Sequence, residues 1–537
     1  MLTIRDHSTG DLFDRWAFLG AKRRDLLDRS WAGVFRQHLL TRLPVEKLAP
    51  LFRTDDGRPS KDLHVALGVL ILQQMFDLTD AQVIESVAFN MAWHFALDLR
   101  DDTDAYLCER TLRNYRHKVI AQGLDELLFK GLTDALIKAF GVDTTKQRLD
   151  STALRSAMRE LTRLGCVVET ISKFLRELAR VHPALHAQVD PDTIRKYVER
   201  EGTGCFALAT PSESKRRLPE AGEDLAKLVL HCQSSEAQTL PSFLVLKRVF
   251  NEQFEVAPDE GGNGGRKIRV KVPDEIPCDN VRNPADPDSS YNAHRGQGYL
   301  AQVMETYQED DAPGAKPDPV KPDLITHVSV GKMTQHDCDA LEPALTDVKE
   351  RGIQPKQVLG DTHYGPQNNL SKAAEMGTEV IAPAQTPRGE NAGRLTLEQF
   401  ELDERGHVKK CPNGHTPVST SSGKERIQAN FDAASCAVCP LKPNCLVAPE
   451  LKRGKKVARI QYTHDRVATR ERRLSERSDE FKEKYRWRAG MEGTMSRLKH
   501  QMGLGKLRVR GRKAIRYLVN LRALGLNILR CGACKAA

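Results

Sequence analysis

Residues 357–365 read Q-V-L-G-D-T-H-Y-G. An apolar run ends at an acid and then turns, the pattern of a buried strand that delivers a carboxylate where a sheet opens to solvent. Residues 147–150, Q-R-L-D, followed by S-T-A-L, have the same form. Asp150 and Asp361 are therefore expected at the ends of two strands. Taken singly, each reads as readily as a turn residue or a helix cap. Between them, G-Y-L-A-Q-V-M-E-T-Y (298–307) and D-L-I-T-H-V-S-V (323–330) read as the strands of a hairpin, and a helix over about 338–350 leads to the Asp361 strand.

A third acid comes from a different pattern. From Tyr485 to Lys499 the chain reads Y-R-W-R-A-G-M-E-G-T-M-S-R-L-K. Tyr485, Arg488, Glu492 and Lys499 fall within a stripe roughly 60° wide and about 21 Å long on an ideal α-helix. A face built for burial would be apolar. This one mixes one acid with bases and a ring, which suits a metal ion lying beside a phosphate backbone; a solvated, salt-bridged face is the bland alternative. Asp150, Asp361 and Glu492 together form an Asp, Asp, Glu set of hard oxygen donors. Three converging carboxylates can hold two divalent ions, one to activate a nucleophile and one to stabilise a leaving oxygen.

The combination resembles the DDE transposases of bacterial insertion sequences, and more narrowly those whose third acid lies in a Y-R-E-K signature. The long helical stretch after the first Asp and the late cysteine cluster resemble the insertion sequence family "eleven eighty-two". The likeness runs from about residue 60 to 530 and is most specific over 481–530. It implies an α/β fold with an RNase H-like catalytic core, which the order strand, hairpin, helix, strand, helix also matches. It implies that Asp150, Asp361 and Glu492 are ligands of two Mg²⁺ ions, with Mn²⁺ as a possible substitute. It further implies that Tyr485, Arg488 and Lys499 contact transposon-end DNA, and Arg497 is grouped with them. Trp487 departs from the signature; it reads either as a base-stacking ring or as a buried helix residue.

The chain of 537 residues is too long for one core, and its 40% apolar content is enough for globular folding. No apolar run approaches the ~20 residues of a membrane span, and the N-terminus lacks the layout of a signal peptide. The cytoplasm, in association with the nucleoid, is the expected location. The net charge of +10 is unevenly spread. Residues 451–537 hold 25 Lys and Arg against 7 Asp and Glu, whereas residues 1–450 hold 57 against 65. Such segregation is the footprint of a nucleic-acid groove.

The expected organisation is an N-terminal segment (1–60), a helical DNA-binding domain with helix-turn-helix as one arrangement (61–142) and a core formed by 143–154 and 286–384. A helical insertion and linker (155–285) and a Cys-rich insertion (385–470) interrupt that core, and helices of 471–537 close it. In the N-terminal domain, L-H-V-A-L-G-V-L-I-L-Q-Q-M-F (63–76) reads as a core helix and Thr79 or Asp80 as the cap of the next. A third helix, from near Glu109, carries Arg110, Arg113, Asn114 and His117 on one face, suited to a DNA groove. Residues 256–287, with G-G-N-G-G, read as a loop, and the acidic, Pro-rich stretch 308–322 as poorly ordered.

Cys411, Cys436, Cys439 and Cys445, two of them spaced C-x₂-C, suit tetrahedral structural Zn²⁺, with His415 competing for the fourth position. Cys531 and Cys534 have no second pair nearby and read as a frayed end. The expected function is that of a transposase which binds the inverted-repeat ends of its element as a synaptic homodimer on double-stranded DNA, cuts and joins them to target DNA, with no membrane partner. Two rivals remain at this stage: a metal-dependent nuclease of the same fold, which would cut but not join, and an inactive transposase-derived DNA-binding regulator.

Overall fold

The computed structural model describes residues 2–9, 14–53, 59–99, 104–199, 211–258, 266–309, 321–385, 393–452 and 455–536. Its centre is a sheet built on β1 (Lys146–Arg155). After it come a small hairpin, β2 (Phe254–Pro258) and β3 (Arg266–Val270), then β4 (Ser290–Asn292), β5 (Gly296–Thr306), β6 (Ile325–Lys332), β7 (Gln357–Leu359) and β8 (Glu379–Ile381). The main path is β4-β5-β1-β7-β8, and β6 also pairs with β5. Setting the short β4 aside, the order β6-β5-β1-β7-β8 has only β5 antiparallel to its neighbours. This mixed α/β sheet fits an RNase H-like core.

β5 is buried along almost its whole length. A strand sealed on both faces needs helices on either side. The C-terminal helix Arg512–Ala536 packs on β6, on the helix Leu124–Phe140 and on the helix Leu63–Met75. One contiguous apolar core therefore runs from Trp16 through the N-terminal helices and the sheet to Cys531. Every residue of Leu63–Met75 is buried, which is why its sequence is apolar all round. Thr79 caps Asp80–Phe89 in a capping box with Gln82. In the helix Glu109–Gln122, Arg110, Arg113, Asn114 and His117 are all exposed.

The segment after β1 folds separately. Helices Arg163–Val181, Pro211–Cys232 and Pro241–Gln253 enclose a second core around Phe174, Leu225 and Phe243. The expectation of a plain loop over 256–287 is corrected by β2 and β3, which pair antiparallel from Phe254 with Val270 to Pro258 with Arg266. The G-G-N-G-G run and most of 308–322 lie outside the described residues.

The Cys-rich stretch forms sheets that its sequence did not announce. β9 (Glu401–Leu402) pairs with β10 (Val408–Lys410), and β11 (Ser419–Ser422), β12 (Arg426–Phe431), β13 (Ala448–Lys452) and β14 (Lys455–Thr463) make a sheet of order β11-β12-β14-β13. A third core around Phe400, Ile427 and Tyr462 lies beneath them.

The N-terminus is tied down by a buried charge. His7 bonds Asp62 through Nε2 at 2.7 Å and Asp98 through Nδ1 at 2.9 Å, and its side chain is only 1% exposed. Asp62 is also the cap of Leu63–Met75. Among the described residues, His7, Asp62 and His64 are the one group of three possible ligand atoms within 4.8 Å of one another. Both nitrogens of His7 face carboxylates, and a ring carrying two protons has no lone pair for a metal. Burial alone would lower the His7 pKa, but the two aspartates outweigh it and raise it to about 9.

The raised value sets a sign for stability. His7 contributes fully below its unfolded pKa near 6.5 and loses that contribution as the pH climbs through about 9. Its magnitude is at most about 3 kcal/mol. Denaturant titrations between pH 6 and 10 should show the wild type losing stability more steeply than His7→Gln. Parallel curves for the two proteins would refute the ion-pair reading.

Candidate active site

The register of the sheet brings the two aspartates side by side. β1 and β7 run parallel, with Arg148 opposite Leu359. Two residues further along each chain lie Asp150 and Asp361, near enough for the charge of one to act on the other. The expectation that Asp150 ends its strand is corrected: β1 continues to Arg155 because β5 keeps pairing with it as far as Gly298. β7 does stop just before its acid. Gly360 donates its N–H to Ile381 O at 3.0 Å, and Asp361 opens a turn in which His363 N–H bonds its Oδ1 at 2.8 Å.

Burial raises the Asp150 carboxyl above the ordinary aspartate range, and Asp361 and Asp337 add to the shift. Opposing them are the Arg488 guanidinium, at 2.9 Å from Oδ2, and the Ser151 N–H, at 2.8 Å from Oδ1. Arg488 also lies 4.0 Å from Glu492, whose side chain is 76% exposed. A cation thus already sits between the first and third acids. The donors are all hard oxygens, and a carboxylate burdened by burial and by neighbouring negative charge gains from a cation. The site residues fit divalent ions on these grounds.

The helical run carrying Glu492 is not uniformly wound. It passes from α-helix (Asp479–Tyr485) to a 3₁₀ turn (Arg486–Ala489), to α-helix (Gly490–Ser496) and then to a π turn (Arg497–Gln501). A 3₁₀ turn overwinds by roughly 20° per residue relative to an α-helix. The single stripe expected from ideal spacing is accordingly split. Tyr485 and Trp487 turn inward onto Tyr307, Leu359 and Ile381. Tyr485 stacks on Phe481 and donates its hydroxyl to Gly360 O at 3.2 Å. Arg486 lies over the Trp487 ring. Both rings are half-buried and partnered within the chain, and Trp487 also lines a basic groove. Lys499 is partly exposed. Arg497 is exposed and lines a groove of about 810 Å³ with Arg148, Lys321, Arg486 and Arg530.

What holds this helix over β1 is a buried acid that the sequence reading missed. Glu305 of β5 has no exposed side-chain surface. It accepts from Arg148 Nε at 2.7 Å, from Arg530 Nη1 at 2.8 Å and from Thr494 Oγ1 at 2.7 Å. Arg148 Nη1 also donates to Trp487 O at 2.8 Å. One carboxylate therefore joins β1, β5, the Glu492 helix and the C-terminal helix. Gly490 makes the approach possible, since a Cβ there would come within 2.1 Å of the Arg148 guanidinium. A signal did exist, because Glu305 is the one charge in the otherwise uncharged run 296–308.

The four cysteines come into one neighbourhood. Cys411, Cys436 and Cys445 lie partly buried against the third core. Burial raises the Cys436 thiol, and Cys445, Cys411 and Cys439 add to the shift. No three of these sulfurs are as close as the His7 group, nor are Asp150, Asp361 and Glu492. His415 faces Asn413, 3.2 Å from its Nε2.

Two segments match families of known proteins. Residues 410–531 match the Transposase DDE domain, and residues 28–118 match the Transposase domain (DUF772). The first match includes Glu492 and the four cysteines; the stretch holding Asp150 and Asp361 lies outside both. No curated protein matches the chain. The two matches support a transposase of the bacterial insertion-sequence DDE type, a class of nucleotidyl-transfer enzyme that acts on DNA and typically uses divalent metals. No helix among the described residues is long and apolar enough to cross a membrane.

Replacing Glu305 by Ala strands two guanidiniums in the interior and should cost about 3–5 kcal/mol. Glu305→Gln keeps the shape and should cost less. Urea unfolding of the two variants gives the comparison, and equal stability of Glu305→Ala and wild type would show that the cluster does not hold the helix.

Proposed function

We propose that this protein is a transposase that binds the inverted-repeat ends of a mobile element, cleaves them and joins them to target DNA. The observation that carries the reading is the closeness of Asp150, on β1, to Asp361, in the turn that follows the adjacent parallel strand β7, with the Glu492 helix anchored on β1 and β5 by Glu305. Asp150, Asp361 and Glu492 are the residues that hold two Mg²⁺ ions, or Mn²⁺ in their place. When bound, the ions lower the cost of forming the attacking hydroxide or alkoxide and of releasing the leaving oxygen. The first step breaks one phosphodiester P–O bond with water and frees a 3′-hydroxyl. In the second, that hydroxyl attacks a target phosphodiester, so one P–O bond forms as one breaks.

The chain's own residues do the positioning. Arg488 neutralises Asp150 until a divalent ion takes over that role, and is then free to meet phosphate. Arg497 neutralises backbone charge along the basic groove, and Lys499 does so outside it. Tyr485 and Trp487 support the helix from behind, and any DNA contact of theirs is at the ring edge. The exposed face of Arg110, Arg113, Asn114 and His117 is a second DNA contact. Cys411, Cys436, Cys439 and Cys445 hold a structural Zn²⁺ that braces the insertion beside the site, with His415 in reserve for the fourth position. The active unit is a homodimer pairing two element ends, working in the cytoplasm on nucleoid DNA.

Asp150→Ala, Asp361→Ala and Glu492→Gln should each abolish cleavage of terminal-repeat DNA in Mg²⁺ while binding in EDTA is retained. Near wild-type cutting by any one of them removes that residue from the site. Cutting without any strand-transfer product by the wild type would favour a nuclease. Lys499→Ala and Arg497→Ala should each lower the salt slope of DNA binding by about 0.9. Arg488→Ala should leave that slope unchanged in EDTA, because Asp150 occupies its guanidinium.

The zinc reading has its own test. Native mass spectrometry should find one Zn²⁺ per chain, lost in a Cys436→Ser, Cys439→Ser double variant together with a drop in Tm. Zinc retained by the double variant would move the site elsewhere.

A further inference from the structure

Behind Asp150 and Asp361 lies a set of buried polar side chains with no counterpart in the apolar packing around it. Gln302 of β5 stands opposite Ser151 in the β1–β5 register. It is 3% exposed, whereas its neighbours Tyr299, Leu300, Ala301, Val303 and Met304 are all apolar or aromatic and buried. Both ends of its amide are used. Nε2 donates to Asp337 Oδ1 at 3.1 Å, and Oε1 accepts from the Tyr364 hydroxyl.

Those two partners come from the exits of two different strands. Asp337 follows β6, is 5% exposed and also accepts from Arg295 Nη2 at 2.7 Å. Tyr364 is 1% exposed and lies three residues after Asp361, whose carbonyl accepts its N–H at 3.1 Å. Ser151, across the register from Gln302, carries its hydroxyl near both Asp337 and Tyr364. A chain of hydrogen bonds therefore runs from Asp361 through Tyr364 and Gln302 to Asp337, and Ser151, next to Asp150, lies beside its far end. An apolar residue at 302 would fill the space without the cost of burying an amide. A buried carboxylate at 337 is costlier still and needs every partner it has. Filling space does not require these groups, whereas holding two mutually repelling carboxylates at a fixed separation does.

We infer that Gln302, Tyr364, Asp337 and Ser151 are positioning residues that fix the spacing of Asp150 and Asp361 and thereby set the affinity of the site for divalent cations. The inference rests on the reading of those two aspartates as cation ligands. Groups that orient ligands from behind typically change metal affinity by about 10–100-fold when they are removed. None of the four needs to touch DNA.

The test is direct binding of Mn²⁺ alone to the full chain without DNA, followed by the electron paramagnetic resonance of free Mn²⁺. Asp361→Ala serves as the reference for the site. Tyr364→Phe keeps the ring and removes one hydrogen bond. Gln302→Met keeps the volume and removes two. Ser151→Ala removes only a hydroxyl and stands in if Gln302→Met does not fold, as judged by circular dichroism. The folded variants should bind Mn²⁺ at least about tenfold more weakly than wild type, with metal-free DNA binding unaltered. If Asp361→Ala weakens Mn²⁺ binding and Tyr364→Phe and Ser151→Ala do not, the positioning role is overturned and the site stands. If Asp361→Ala leaves Mn²⁺ binding intact, the cation site itself is misplaced and the inference falls with it.

Discussion

A carboxylate with no access to water organises this molecule. Glu305 meets Arg148, Arg530 and Thr494, so four elements distant in sequence converge on two oxygen atoms. Taking those charges out of water costs several kcal/mol per ion, and only complete pairing offsets it. The arrangement therefore tolerates little displacement of any partner. Asp323 shows the local strain on acids: burial, with Glu305 adding to it, raises its carboxyl to about 6 despite the nearby arginines. The cluster ties the Glu492 helix to the strand of Asp150. Arg148 and Asp150 alternate along β1, so one strand supplies both the anchor and the acid that the anchor serves.

Around that anchor, charge is divided by function. Asp150 sits at the middle of the sheet, where burial, with Asp361 and Asp337 adding to it, disfavours its ionised form. Bases crowd the C-terminal helices and the groove that contains Arg497 and Arg530. Arg488 stands at the boundary, bonded to Asp150 and within reach of Glu492. A guanidinium there offsets part of the negative charge of the acids. Any other cation that took the Oδ2 edge of Asp150 would have to displace this side chain.

The insertions are built on separate cores. The helical one after β1 buries Phe174 and Phe243, and the Cys-rich one buries Phe400 and Tyr462. Each can vary in content without repacking the central sheet. The N-terminal helices differ, because they share the main core with the sheet and the C-terminal helix. Leu63–Met75 is apolar all round for that reason.

Much of the frame was legible in local pattern. The β5 and β6 hairpin, the buried Leu63–Met75 helix, the acid after β7 and the basic C-terminal region all follow from periodicity, caps and charge counts, which are properties of neighbouring residues. The four-stranded sheet of the Cys-rich stretch was not legible, because its strands are short and polar on their exposed faces and the turn residues dominate. Nor was the fate of the Tyr485 to Lys499 stripe, since ideal helical spacing knows nothing of a 3₁₀ turn imposed by packing on Leu359 and Ile381. The bond of Arg488 to Asp150 spans 338 residues of chain, and that of Arg148 to Glu305 spans 157. The sequence by itself determined which residues carry charge and, in the central core and the N-terminal helices, which segments become strands or helices. Only the tertiary structure decided which charges meet, because hydrogen-bond geometry and burial depend on strand register and helix winding, which local pattern does not encode.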